Sequence, residues 1–215
     1  MNIQSKSLRG WQLFSLIAVL VTAMSATAIA IQPDLVDGLR SAIRATARSS
    51  FVLFLIAFTA SAFAVLVPSP LSKALVRERR FIGLAFAFSH LMHAVVVYVY
   101  ALVDTEFRQS ATVANNIPGT IGYVFILLLA LTSFKSSARL LGPKAWKKLH
   151  VTGMWVIAAV FIYAYFTDIS KSAWYVLPFG LICGAVAVRL VGKLAIANKR
   201  NQTKQTPSRQ AAIAS

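Results

Sequence analysis

The sequence predicts an all-α fold: a polytopic membrane bundle of six transmembrane helices with both termini cytoplasmic. Three observations carry this. Hydrophobic residues make up 58% of the 215 residues and charged residues only 13%, against ordinary shares of about 45–50% and 25%. The mean hydropathy is +0.69. Six apolar segments, each close to the ~20 residues a bilayer-spanning helix needs, recur along the chain. So little polar surface cannot cover a soluble globule, which excludes a soluble enzyme. A disordered chain needs the opposite composition.

The expected spans are 11–31, 51–67, 81–103, 117–134, 149–166 and 173–196. Between the first two, Arg40, Arg44 and Arg48 alternate with Leu39, Ile43 and Ala47, the pattern of a short amphipathic helix lying at the interface. Domain 1–197 is thus the membrane bundle, and 198–215 reads as a disordered basic cytoplasmic tail. The first apolar stretch precedes a small-residue run, Ser25 to Ala30, that resembles a signal cleavage site. It is longer than a usual signal core, so a retained first helix is expected.

Orientation follows from charge. The chain carries 22 Lys and Arg against 6 Asp and Glu, a net +16. Lys6 and Arg9, then Lys73, Arg77, Arg79 and Arg80, then Lys135, Arg139, Lys144, Lys147 and Lys148, and finally the tail fall on one side, opposed only by Glu78. On the other side Arg40, Arg44, Arg48, Arg108 and Lys171 balance Asp34, Asp37, Asp104, Glu106 and Asp168. The positive-inside rule makes the basic face cytoplasmic. It also accounts for the charge without nucleic acid as a partner. The one cysteine, Cys183, lies in an apolar run and reads as a small buried hydrophobe.

Away from the span ends the apolar cores hold no Asp, Glu or Lys, and Arg189 is expected to snorkel from near a helix end. A proton-coupled transporter or ion channel normally carries an intramembrane carboxylate, so that class loses weight. The three histidines remain: His90, His93 and His150, all within or at the edge of spans. Neutral imidazole ligates haem iron. A b-type haem needs no covalent attachment motif, and none is present. His90 and His93, three apart, share a helix face. Arg79, Arg80, Lys147 and Lys148 are placed to pair with haem carboxylates near the basic face. The plainer reading is that these histidines only hydrogen-bond between helices.

The run Arg79-Arg80-Phe81-Ile82-Gly83-Leu84 followed by histidine resembles the third helix of the ferric reductase-like transmembrane domain family. So does Leu131-Thr132-Ser133 followed by the block from Leu141 to His150, LGPKAWKKLH. The resemblance covers about 51–166. Within that family the chain is similar to the haem-binding membrane subunits of bacterial methionine sulfoxide reductase systems. The resemblance implies a six-helix electron carrier of the bacterial inner membrane, with haem ligands on the third and fifth spans. Two-haem members carry a further histidine about thirteen residues after the first one on the fifth span. Tyr163 stands there, so a single haem is expected. The methionine sulfoxide-type subunits match His93, and His90 is an addition.

Counted from the outer ends at ~1.5 Å per residue, His90 lies roughly 21 Å and His93 roughly 16 Å below Asp104, and His150 roughly 27 Å below Asp168. His150 is therefore the expected ligand, with His90 or His93 opposite. His90 is nearer in depth and His93 is the family-matched position. The expected cofactor-binding residues are His90, His93, His150, Arg80 and Lys147. The expected function is single-electron transfer through one haem b. The donor is a separate flavin reductase, with its own flavin, or a quinol. The acceptor is ferric iron, oxygen or a periplasmic oxidoreductase. The rival readings are a haem-free membrane scaffold or assembly subunit and a haem-based redox sensor. With no nucleotide or flavin motif in the chain, a carrier of this kind depends on a partner.

Overall fold

The structure, a computed structural model, describes residues 8–110 and 116–213, with side chains to Arg200. Lys6 and the side chains of the tail beyond Arg200 lie outside the described residues. The described residues form helices and turns, with no strand. Five helices are long and apolar enough to cross a membrane. They are α1 (Trp11–Ala30), α2 (Leu35–Leu66), α3 (Pro70–Val103), α6 (Lys135–Asp168) and α7 (Val176–Ile213), the last preceded by a 3-10 turn at Ala173–Tyr175. Helix α4 (Thr105–Ser110) is a short cap. Helix α5 (Ile117–Leu131) is the fourth expected span, and it has only 15 residues. That is about 22 Å of rise against a ~30 Å hydrocarbon core. The chain is a membrane protein with, among the described residues, five helices of spanning length and one shorter apolar helix.

Two expected boundaries move, each for a local reason. The arginine-bearing stretch is not a separate interfacial helix; it is the first half of α2. Asp34 caps that helix by accepting from the Asp37 N–H at 2.9 Å, and nothing breaks it before Val67. Leu39 and Ala42 on this stretch are buried against Val96 and Tyr100 of α3, so packing holds the segment upright instead of in the bilayer plane. The third span begins early, at Pro70, because Ser69 and Ser72 form a capping box and proline occupies the first turn. At the other end of the chain, α7 runs helically past Asn198 to Ile213. Lys199, Arg200, Gln202, Lys204 and Gln205 are good helix formers.

Among the described residues, helix α6 alone contains an internal break. Gly142 has φ 71° and ψ 162°, a left-handed backbone that glycine adopts without penalty. Pro143 then restarts the helix. Within the LGPKAWKKLH block, Gly-Pro thus sets the direction of the second segment. That segment delivers Trp146 and His150 to the end of α5.

The bundle is a ring. α2 packs on α3, α3 on α5, α5 on α6, α6 on α7, and α7 returns to α2, with α1 outside against α2 and α3. The centre is filled with aromatics. Phe54 and Phe58 of α2 are almost completely buried, stack on each other, and meet Phe86 of α3 and Phe161 and Trp155 of α6. Close approach of α2 and α7 depends on Gly192, where an added Cβ would lie 2.8 Å from the Ala62 Cβ. At its far end the α2–α3 pair is latched by Arg40, whose Nε donates to the Tyr100 hydroxyl at 2.7 Å, while Tyr100 in turn donates to Asp104.

Two outcomes follow from this packing. Gly192→Ala forces α7 away from α2 and costs about 1–3 kcal/mol, while Gly184→Ala on the same helix, with nothing within 4 Å of its Cβ, is neutral; thermal unfolding in detergent separates the two. The Asp104 carboxyl is held below its usual value, first by the Phe107 N–H and then by the Tyr100 hydroxyl. A depressed carboxyl stabilises the fold above its unfolded-state pKa, and that contribution disappears as pH falls through the folded-state value. Acidification through the carboxylate range therefore loosens the α3–α4 corner in wild type. Asp104→Asn removes this part of the acid response, as limited proteolysis at the corner reports.

Candidate functional site

Because α3 and α6 scarcely meet, the ring frames a half-open cavity of about 500 Å³ lined from all five of its helices. This is within the usual range for a small-molecule site. Its body is apolar: Ala57, Phe86, Ile126, Leu129, Val151 and Met154. Gly83 opens directly onto it, and a Cβ there would meet nothing within 4 Å. One end is cationic. Arg79 and Arg80 come from α3, Lys147 from α6 and Arg189 from α7, with no acid among the lining residues. Glu78, nearby in sequence, accepts instead from the Gly10 N–H at 2.8 Å and from Arg77 Nε at 2.9 Å. A second cleft, about 450 Å³, opens at Pro68 and Arg200 and holds no histidine.

His150 is the one histidine lining the larger cavity. Its ring stacks on Trp146, centroids 4.2 Å apart, and its Nε2 lies 3.0 Å from Thr132 Oγ1. The Thr132 hydroxyl donates to the Leu128 carbonyl at 2.6 Å, so His150 Nε2–H donates to Thr132. Trp146 Nε1 donates to the Thr132 carbonyl at 2.8 Å, satisfying an acceptor left open at the end of α5.

His90 and His93 form a separate pair, ring centroids 5.4 Å apart. His93 Nδ1 lies 3.2 Å from the Ile43 carbonyl and 3.1 Å from Thr46 Oγ1, and the Thr46 hydroxyl itself donates to Ala42. His90 Nδ1 lies 3.2 Å from Ser50 Oγ, which donates to the Ala47 carbonyl. Both imidazoles therefore carry their proton on Nδ1 and present Nε2 as a lone pair, the tautomer that a backbone-anchored ligand histidine uses. Ser49 and Ser89, 2.8 Å apart, let α2 and α3 approach here.

The structure does not bring the three histidines to one level. His90 packs on Tyr123 and His150 on Thr132. These α5 residues are nine apart, about 13 Å of helical rise. Phe86 lies between, lining the cavity on one side and touching His90 on the other. Counting from the outer ends gave a smaller offset because those ends are not level. Phe51 meets Tyr165 near the end of α6, whereas α2 continues to Leu35, and Arg40 on that continuation meets Asp104. Tyr163 is 55% exposed, turned away from the interior.

Arg80 and Lys147 line the cavity; Lys148 does not. Arg80 Nε is buried with no hydrogen-bond partner. Sequence reasoning missed Arg189, which does not snorkel from a helix end. It lies well inside α7, donates from Nη1 to the Phe58 carbonyl at 2.7 Å and sits 4.2 Å over the Phe58 ring. The available signal was its place as the cation deepest within the last apolar run, four residues before Lys193. Trp146 and Thr132 lie in the two runs that carry the family resemblance, with no role of their own legible there, and Tyr123 had no signal beyond ordinary membrane composition.

A bulkier residue at Gly83 projects into open space, so Gly83→Leu folds with unchanged thermal stability while occupying the cavity. Unfolding scans of the ligand-free protein check the first part, and binding assays the second.

No solved structure matches the chain. A family model described as ferric reductase like transmembrane component matches residues 44–161. That segment runs from within α2 to within α6. It includes all three histidines, both cavity arginines of α3 and the Gly142–Pro143 break, and it stops short of α7. It covers more than half of the chain, and the protein belongs to the ferric reductase-like transmembrane family.

Proposed function

We propose that the protein is a membrane electron carrier that holds a b-type haem in the cavity between α3 and α6. The observation that carries this reading is the lining itself: an imidazole, an apolar body, and a cationic end containing a buried donor without a partner. A flat apolar macrocycle with two carboxylates at one edge matches that distribution. Buried cations without counter-ions are costly, and carboxylates would neutralise them.

In this reading His150, the one histidine that lines the cavity, is the iron ligand, and the His90–His93 pair, about 13 Å further along the bundle with Phe86 between, does not reach the same iron. Arg80 and Lys147 hold the acid edge. When bound, the haem supplies reversible one-electron chemistry at its iron. The chain supplies the rest. Trp146 and Thr132 fix the His150 ring. The Ile43 carbonyl and Thr46 fix the His93 tautomer. Phe54, Phe58 and Phe86 exclude water, so that charges near the cavity act in a low dielectric. The basic face is cytoplasmic, as in a bacterial inner-membrane protein. It would receive electrons there from a flavin reductase or within the bilayer from a quinol.

A second reading has its own support. Every histidine bonds a neighbouring helix through one ring nitrogen, which is what a haem-free scaffold requires. Colour separates the two. Purified from cells supplied with haem, the carrier shows a Soret band, a sharp reduced α-band and about one haem per chain. His150→Ala loses the haem. The double change His90→Ala with His93→Ala keeps the haem with an unchanged spectrum, and a change of spin state in it returns that pair to the ligand set. A colourless wild type leaves the scaffold.

A further inference from the structure

The cavity carries a feature that its histidines do not explain: two arginines from different helices are held side by side by successive carbonyls of α2. Arg79 Nε donates to the Ala57 carbonyl at 2.9 Å and its Nη1 to Ser61 Oγ at 3.0 Å. Arg189 Nη1 donates to the next carbonyl, Phe58, at 2.7 Å. Its guanidinium is also clamped between aromatic faces, 4.2 Å from the Phe58 ring centre and 5.5 Å from that of Trp155. Both line the cavity, and no acid lines it with them. Like charges fixed this close in an apolar interior repel unless an anion sits against both. These bonds use three of the ten guanidinium N–H donors the two residues carry.

We infer that Arg79 and Arg189 form a paired-guanidinium oxyanion site, and that it takes one carboxylate of the cavity's ligand. This rests on the haem reading above and extends it to α7, a helix beyond the matched segment 44–161. The clamped geometry suits the task. Each guanidinium is pinned by one edge, so the ordering cost is met before the ligand arrives, and the planar fork offers paired donors to a carboxylate. Arg80 and Lys147 remain for the second carboxylate. The site therefore distinguishes a dicarboxylate macrocycle from a neutral one of the same shape.

The test compares haem b with its dimethyl ester, in which both carboxylates are capped, on the full chain purified without haem in neutral detergent. Wild type binds the free acid at least tenfold more tightly than the ester. Arg189→Gln and Arg79→Gln each weaken binding of the free acid by about tenfold, within the range for a hydrogen bond to a charged group, and leave binding of the ester unchanged. Arg189→Lys keeps part of the preference. The midpoint potential of the bound haem falls in Arg189→Gln, because an uncompensated carboxylate favours the oxidised iron. Size-exclusion elution confirms that the variants are folded.

Equal binding of acid and ester by wild type overturns the inference, as does an equal loss of both forms in Arg189→Gln. The same holds if anionic phosphatidylglycerol stabilises wild type but not Arg189→Gln while acid and ester bind alike, for the oxyanion is then a lipid phosphate. A wild type that takes up neither form overturns the haem reading and this inference with it.

Discussion

The backbone carbonyls of α2 hold the molecule together. Ile43 accepts from His93, Ala57 from Arg79 and Phe58 from Arg189. In hydrocarbon a polar side chain cannot turn to water for a partner. The spare lone pair of a helical carbonyl is therefore a valuable acceptor. By bonding this one row, the polar groups of α3 and α7 are fixed in depth and direction. α2 is also the helix against which α1, α3 and α7 pack. Its 32 residues serve as the post from which the ring is built.

The electrostatic pattern follows from that post. Arg79 and Arg189 point inward because their acceptors are inside, and Arg80 and Lys147 complete a cationic end over an apolar cavity. The acids are elsewhere: Glu78 is engaged by Gly10 and Arg77, and Asp104 by Tyr100 and Phe107. The charge asymmetry of the sequence thus has two origins. Exposed lysines such as Lys144 and Lys148 answer the positive-inside rule. Three buried or half-buried arginines answer the cavity.

Much of this was legible in the sequence. Apolar run lengths gave the helices, and the LGPKAWKKLH block pointed to His150 before the break at Gly142 explained why the block is shaped as it is. Composition could not show helix ends that carry no breaker. α2 keeps its arginines because Leu39 and Ala42 are buried, a packing fact and not a propensity. Depth was misjudged for a related reason. Rise per residue is dependable along one helix, but the choice of a common starting level belongs to the tertiary structure. Arg189 was visible as a cation in an apolar run; only the fold shows that the Phe58 carbonyl awaits it.

The gap between α3 and α6 has a mechanical consequence. Helices α3 and α6 face each other across the cavity and are tied only through their neighbours and, beyond one end of it, through Phe86 and Phe161: the ring is an arch whose span over the cavity is open. Whatever molecule fills that span touches both sides at once and becomes a structural member as well as cargo. Binding then stabilises the assembled bundle over its opened states by mass action. Loading should therefore stiffen α3 and α6 more than α1, which lies outside the arch.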